Sequence, residues 1–266
     1  MNTWIFDVDG VLSNLEDKIT DPEILKHIAD LLKNGNAIAL NTGRSFSTIE
    51  ETVLRPLEKL IIDKTHLKNM FIVCEMGNVL GSFKDGAFHK QLLDDPILPE
   101  LSDQIREMVE KDFSAAMFFD ESKETMLSIE VKDGFDLEIY KKAQDTLHEK
   151  ITALLLSNKY LQMNLVIGRN PIAIDIQYED AGKHLGAERI EDWMMAEGIK
   201  PETIYMIGDS PSDSKMAEEL QNTYSVIFVF VGEKEKLDTD RLMCEIVYTK
   251  EKYNKGTLEF LKSKSA

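Results

Sequence analysis

The chain has 266 residues, 43% hydrophobic and 30% charged, an ordinary globular balance that excludes disorder as the main theme. Its formal net charge of −17 repels duplex nucleic acid and anionic membranes, and any anionic ligand must meet a local cation. No apolar run approaches the roughly 18 residues of a spanning helix, and two cysteines, Cys74 and Cys244, cannot build a disulfide framework, which points to a reducing cytoplasm.

In chain order, the first element is an apolar run at Trp4–Val8, read as a buried strand. No basic stretch precedes an apolar segment there, so no secretory signal is expected. Asp21-Pro22 opens a helix with Ile24, Leu25, Ile28, Leu31 and Leu32 on one face, and Gly35 ends it. Ala37–Leu40 and Met70–Cys74 read as further buried strands. Val79–Phe83 and Ala87–His89 flank Asp85-Gly86 and predict a hairpin.

A helix is expected over 98–113, then strands at Ala115–Phe119 and Met126–Val131. A helix carrying Tyr140, Ala143, Leu147, Ile151 and Leu155 follows, then strands at Leu161–Ile167 and Ile172–Gln177. Another helix starts near Lys183, with Leu185, Ile190, Trp193 and Met194. Strand Thr203–Ile207, helix Ser212–Leu220 and strands Val226–Val231 and Glu245–Tyr248 complete the pattern, and the Lys-rich end, 262–266, is expected to fray.

Continuous apolar runs separated by helices imply an α/β fold with a doubly wound, mostly parallel sheet. The middle strands instead alternate strictly: Leu127, Ile129 and Val131 interleave with Ser128 and Glu130, and Ile172, Ile174 and Ile176 with Ala173, Asp175 and Gln177. That period means one face on helices and one open. The expected division is a core of 1–84 and 179–266 with an inserted antiparallel α+β domain at 85–178.

Four segments carry groups capable of chemistry. Asp7-Val8-Asp9-Gly10 follows the first strand, and two carboxylates beyond a strand end are costly together without a cation. Asn41-Thr42-Gly43-Arg44 follows the second strand and suits a phosphate through Thr42 and backbone N–H groups, or simply caps a helix. Lys183 opens a helix, where a cation opposes the dipole. Gly208-Asp209-Ser210-Pro211-Ser212-Asp213 adds two carboxylates at another strand end. Each alone also fits an ordinary solvated or capped loop. None of the five histidines pairs at metal-ligand spacing.

Taken in order, these motifs resemble the haloacid dehalogenase superfamily of phosphohydrolases over essentially the whole chain. The inserted helix-strand-strand, twice over, is similar to that family's C2-type cap, as found in archaeal-type phosphoglycolate phosphatases, sucrose- and trehalose-phosphate phosphatases and phosphomannomutases. The core would then be Rossmann-like. The resemblance implies a Mg²⁺-dependent phosphatase of a small phosphorylated metabolite, a sugar phosphate or phosphoglycolate. Catalytic roles would fall to Asp7 as nucleophile, Asp9 as acid and base, Thr42 and Lys183. Metal binding would fall to Asp7, Asp9 (through its backbone carbonyl), Asp209 and Asp213, the last of these holding Lys183 or a metal-bound water. Substrate binding would fall to Thr42, Gly43 and Arg44, with Asn164 and Arg169 from the cap. Arg44 could reach a substrate or a core carboxylate. The cap's open face would hold Ser128, Glu130, Gln162, Asn164 and Asp175, with Asn170 beside Arg169 in the last turn. Glu75-Met76-Gly77-Asn78 and Ser212 depart from the family's pattern and bear on the substrate rather than the reaction. A phosphomutase or a non-catalytic binding protein are the alternatives. No nucleic acid or membrane partner is expected, and the oligomeric state stays open.

Overall fold

The structure is a computed structural model that describes residues 1–15, 18–93, 96–157 and 159–264. The chain runs β1 (Thr3–Phe6), α1 (Pro22–Lys33), β2 (Ala37–Asn41), α2 (Phe46–Ile49), α3 (Arg55–Leu60), β3 (Met70–Cys74), β4 (Val79–Lys84) and β5 (Ala87–Leu92). It continues through α4 (Pro99–Met108), β6 (Met117–Phe119), β7 (Leu127–Val131), α5 (Leu137–Leu155), β8 (Leu165–Asn170) and β9 (Ala173–Tyr178). It ends with α6 (Lys183–Ala196), β10 (Ile204–Gly208), α7 (Ser214–Leu220), β11 (Val226–Phe230), β12 (Glu245–Tyr248) and α8 (Tyr253–Lys264). Two compact units result, one built by the chain up to Leu93 and again from Gly182, the other by the stretch between.

The first unit holds an eight-stranded sheet in the order β12-β11-β10-β1-β2-β3-β4-β5. The ladders from β12 to β3 are parallel, and β4 and β5 add an antiparallel hairpin. Alternate residues feed opposite faces. Phe6, Ile38, Leu40 and Ile72 join Ile24, Ile28, Leu32, Phe260 and Leu261 on one side. Ile5, Ala37, Ala39, Phe71 and Val73 join Ile190, Met194, Met216 and Leu220 on the other. Helices on both faces explain why these strands read as unbroken apolar runs. Local signals set the helix ends: the Asp21 carboxylate accepts from Glu23 N at 2.9 Å ahead of Pro22, which satisfies an orphan N–H of α1.

Asp85 and Gly86 both have positive φ, 50° and 86°, the two-residue turn whose twist matches a hairpin. β5 pairs with β4 from Ala87 to Leu92 and so belongs to the core sheet. The core therefore extends to Leu93 and resumes at Gly182, rather than breaking at 84 and 179. α8 continues through Lys264, so Lys262–Lys264 form its last turn; residues 265 and 266 lie outside the described residues.

The second unit is a four-stranded antiparallel sheet, β6-β7-β9-β8, with its apolar face on α4 and α5. Leu127, Ile129, Ile174 and Ile176 meet Leu101, Ile105, Leu147 and Ile151 there. On the opposite face Ser128 Oγ donates to Asp175 Oδ1 at 2.6 Å. Burial pushes the Asp175 carboxyl up against that hydrogen bond and the pull of Lys123.

Two expectations for this unit fail. Leu161–Met163 is a helical turn, not strand. β8 begins to pair at Leu165↔Tyr178, where β9 ends; Asn164 O still accepts from Glu179 N at 2.9 Å, and the turn before it closes local hydrogen bonds such as Met163 N to Tyr160 O at 3.0 Å. Gln162 sits on that turn, and Asn164 follows it with φ 49°, so neither is a strand-face residue. Arg169 lies within β8 rather than in a turn. It shares its face with Leu165 and Ile167, which pack on the helices, and its Nη1 is 2.8 Å from Asp145 Oδ1 of α5. Asn170 closes the β8–β9 turn, its Oδ1 accepting from Ile172 N at 2.9 Å.

Asp136 caps α5 by accepting from the N–H groups of Glu138 and Ile139 at 2.9 and 3.0 Å. Asp136→Ala should lower stability by about 1 kcal/mol, read as a shift of the urea midpoint; an unchanged midpoint would show that water serves those two donors equally well.

Candidate active site

Parallel register sets three strand ends side by side. Phe6 lies opposite both Ile207 of β10 and Leu40 of β2, so the chain leaves the sheet at Asp7, Asn41 and Gly208 on one level. In open α/β sheets this carboxyl edge is where sites form. The residues beyond it stay anchored: Asp7 N donates to Ile207 O at 3.0 Å and Thr42 N to Val73 O at 2.9 Å.

Lys183, at the first turn of α6, reaches under this edge and is 5% exposed. Its Nζ lies 2.6 Å from Asp7 Oδ1, 2.8 Å from Asp213 Oδ1 and 2.7 Å from the Asn41 carbonyl oxygen. Burial alone would push this ammonium down, but Asp213 and Asp7 outweigh it and hold Lys183 above the ordinary lysine range. Asn41 also grips the helix start itself, its Nδ2 donating to Lys183 O at 2.8 Å. The close approach needs Gly186, because a Cβ there would stand 2.1 Å from Asn41 Oδ1.

Asp213 Oδ2 accepts from Asp209 N at 3.2 Å, Ser210 N at 3.0 Å and Ser210 Oγ at 2.8 Å. Asp213 thus shapes the loop after β10 with one oxygen and faces Lys183 with the other. Asp209 is brought close to Asp7: one carboxylate oxygen from each of Asp7, Asp209 and Asp213 lies within 4.8 Å of the others. Burial, reinforced by the charges of Asp213 and Asp9, pushes Asp7 up to about 7 against the pull of Lys183. Burial and the charges of Asp7 and Asp213 push Asp209 up to about 8. One lysine does not balance these acids. Three hard oxygen donors converging with excess negative charge fit a divalent cation.

Gly10 makes this convergence possible. Its φ is +73°, and a Cβ would lie 2.4 Å from Asp209 Oδ2. Gly10 therefore serves twice, by turning the chain after Asp9 and by leaving room for the carboxylate.

The Asp9 side chain is held by Arg44. Arg44 Nε is 3.1 Å from each Asp9 oxygen, and Nη2 is 2.5 Å from Oδ1. Partial burial raises the Asp9 carboxyl, but Arg44, with Lys18 and Lys183, more than offsets this and holds it below the usual carboxylate range. Thr42 is buried, and its Oγ1 accepts from Arg44 N at 3.1 Å.

Glu75 and Met76 follow β3 with φ 48° and 58°, a left-handed pair that costs other residue types than glycine about 1–3 kcal/mol each. Their backbone ties the site together. Glu75 N donates to Arg44 O at 3.1 Å, Met76 N to Thr42 O at 3.3 Å, and Gly182 N to Met76 O at 2.8 Å. This segment thereby links the loop after β2 to the start of α6.

Asp7, Asp9, Thr42, Gly43, Arg44, Lys183, Asp209 and Asp213 thus lie around one strand edge. Arg44 is on a carboxylate. Asn41 stands in the second motif without an assigned role, and Glu75-Met76 was expected to bear on the substrate; Ser13 and Gly186 were not foreseen as site residues. The left-handed pair and Gly186 carry no local signal, and Asn41 reads as a strand end.

Residues 4–179 match the family of haloacid dehalogenase-like hydrolases, and the chain belongs to that family; the expectation of a hydrolase stands with it. Solved structures share the fold. The C-terminal domain of Candida albicans trehalose-6-phosphate phosphatase is 14% identical, with a TM-score of 0.67 over 98% of this chain and 91% of that one. A haloacid dehalogenase-like hydrolase from Bacteroides thetaiotaomicron is 12% identical, with a TM-score of 0.66 over 98% of each chain. A Thermoplasma acidophilum protein is 14% identical, with a TM-score of 0.63 over 99% and 97%. No curated protein matches the sequence significantly. Among the described residues no helix is long and apolar enough to cross a membrane.

Gly10→Ala should cost about 1–3 kcal/mol in chemical denaturation, because positive φ strains any other residue, and should weaken divalent-cation binding by displacing Asp209. Full stability and full affinity together would contradict this account. The raised carboxyls also set a pH dependence. The folded state keeps these two protons where the unfolded chain releases them, so a stability penalty grows as pH rises above the ordinary value of 3.8 and levels off beyond about 7 and about 8. A divalent cation held between these carboxylates would cancel that penalty. Magnesium should therefore raise the melting temperature more at pH 8 than at pH 5 in scanning fluorimetry; an equal shift at both would place the ion elsewhere.

Proposed function

We propose that this chain is a Mg²⁺-dependent phosphatase that hydrolyses a small phosphorylated metabolite, a sugar phosphate or phosphoglycolate, through an aspartyl-phosphate on Asp7. The observation that carries the reading is the burial of Lys183 between Asp7 and Asp213 at the strand edge, with Asp209 beside them. A solvated loop has no use for so costly an arrangement.

Lys183 engages Asp7 Oδ1, which fixes the carboxylate and leaves Oδ2 to attack phosphorus. The charge of the entering phosphate dianion opposes the pull of Arg44 on Asp9, so Asp9 takes up a proton as substrate binds. As the new O–P bond forms, the ester P–O bond breaks, and Asp9 gives that proton to the departing alkoxide. Asp9 then takes a proton from water, whose oxygen attacks the same phosphorus and frees Asp7 and inorganic phosphate. Thr42 and the N–H groups around Gly43 hold phosphoryl oxygens, and Lys183 offsets the charge that develops. Asp213 keeps Lys183 and the Asp209 loop in place. Asp7 and Asp209, with the Asp9 backbone carbonyl and Asp213 nearby, would hold the cation, which when bound neutralises the carboxylates and the phosphate. A cytoplasmic setting belongs to this proposal; a thiol buried in the core, Cys74, suits a reducing compartment.

The test is a panel of phosphorylated metabolites with Mg²⁺, reading released phosphate. Asp9→Asn should lose about 10²–10⁴-fold in turnover, and Asp7→Asn should form no phosphoenzyme. Turnover unaffected by Asp7→Asn would overturn the proposal, and conversion of a sugar phosphate to its isomer without phosphate release would favour a mutase instead.

A further inference from the structure

We propose that Arg44 is a positioning residue for Asp9 and not a ligand of the phosphate: with Ser13 it clamps the Asp9 carboxylate in one orientation and leaves Oδ2 as the oxygen that exchanges the proton. This rests on the phosphatase reading above.

Three observations carry it. First, the guanidinium is already committed. Nε and Nη2 form the edge that would grip a planar anion in fork fashion, and both are on Asp9. Oδ1 receives two N–H contacts, at 3.1 and 2.5 Å, whereas Oδ2 receives one, at 3.1 Å. The less engaged oxygen is Oδ2.

Second, the clamp is the buried partner of the pair. The Arg44 side chain is 10% exposed and that of Asp9 44%, so the carboxylate faces outward from a fixed cation. Nη2 is also 3.2 Å from Ser13 Oγ. Ser13 is fully buried, donates its hydroxyl hydrogen to Val8 O at 3.2 Å and is bridged to Asp9 through the backbone. The hydroxyl therefore presents a lone pair to Arg44 and orients its outer nitrogen.

Third, the Arg44 backbone is held from both sides, its N–H by Thr42 Oγ1 at 3.1 Å and its carbonyl by Glu75 N at 3.1 Å. A side chain rooted this firmly and paired at its tip is a brace. The two carboxylates of the first motif are thereby sorted: Asp7 belongs to Lys183 and Asp9 to Arg44. The need is physical, because a half-exposed aspartate has two free torsions, and an error of about an ångström in a proton donor is costly.

The clamp predicts selectivity by leaving group, which a structural role does not. An aryl ester such as p-nitrophenyl phosphate departs with little protonation, whereas an alkyl phosphate needs the acid. Arg44→Ala should lower kcat on an alkyl phosphate by about 10–100-fold while KM stays within about threefold, and on the aryl ester by less than about fivefold. Arg44→Lys should recover part of the loss. Ser13→Ala, which keeps both charges, should show the same selectivity more weakly and serves if Arg44→Ala does not fold. Arg44→Ala added to Asp9→Asn should cost little further. A rise in KM at unchanged kcat would make Arg44 a phosphate ligand and overturn the proposal, as would equal losses on both esters that add to those of Asp9→Asn. Leaving-group selectivity in Asp9→Asn but not in Arg44→Ala sinks the clamp alone, whereas an Asp9→Asn enzyme that keeps full turnover of the alkyl ester sinks the phosphatase reading with it.

Discussion

A buried ammonium holds this site together. Lys183 Nζ is surrounded by oxygens from the residue after β1, the end of β2 and the loop after β10, three segments that share only their place at the sheet's carboxyl edge. Removing one partner of such a cluster leaves an uncompensated buried charge, typically at about 3–5 kcal/mol. The site can therefore form only if the parallel register is right and α6 begins where it does. Asn41 enforces that start, bonding the ammonium through its carbonyl and the Lys183 backbone through its amide.

The remaining acids are arranged around this cation rather than by it. Asp213 is consumed by Lys183 and by its own loop, Asp9 by Arg44, and Asp209 is left with a carboxyl raised by burial and by its neighbours. Excess negative charge is thus concentrated where Asp7 and Asp209 approach, which is what a divalent ion requires of a protein. Close approach is bought with backbone: Gly10 leaves room for Asp209, and the Glu75–Met76 pair accepts left-handed strain to bind the loop after β2 to the start of α6. Strain of this kind persists where surrounding hydrogen bonds over-determine it.

The second unit solves a different problem. Its sheet is covered by helices on one face, and the residues of the other alternate with the apolar set. Ser128 and Asp175, directly opposite each other in the ladder, satisfy one another. Arg169 is drawn to Asp145 on the helix side, since residue parity in β8 puts it with Leu165 and Ile167. Side-chain period two decides this, and a one-residue misplacement of the turn reverses it.

Local chemistry was legible in the linear chain. Apolar runs mark strands because both faces of the core sheet are covered; Asp21-Pro22 marks a helix start because its side chain and ring serve orphan N–H groups; Asp7, Thr42 and Asp209 stand out because polar groups at the ends of apolar runs lie at the sheet edge, and Lys183 because a cation at a helix start opposes the dipole. What the chain could not announce are interactions between distant positions. Arg44 and Asp9 are 35 residues apart and Asn41 and Lys183 142, and only strand register brings them together. The same reason governs the misread Leu161–Met163: its alternation suits a strand, but a strand exists only where a neighbour offers hydrogen bonds, and β9 has already ended. Sequence determined which groups were available and which elements carry them; tertiary structure decided which carboxylate each cation serves, because pairing energies depend on distances that no local pattern encodes.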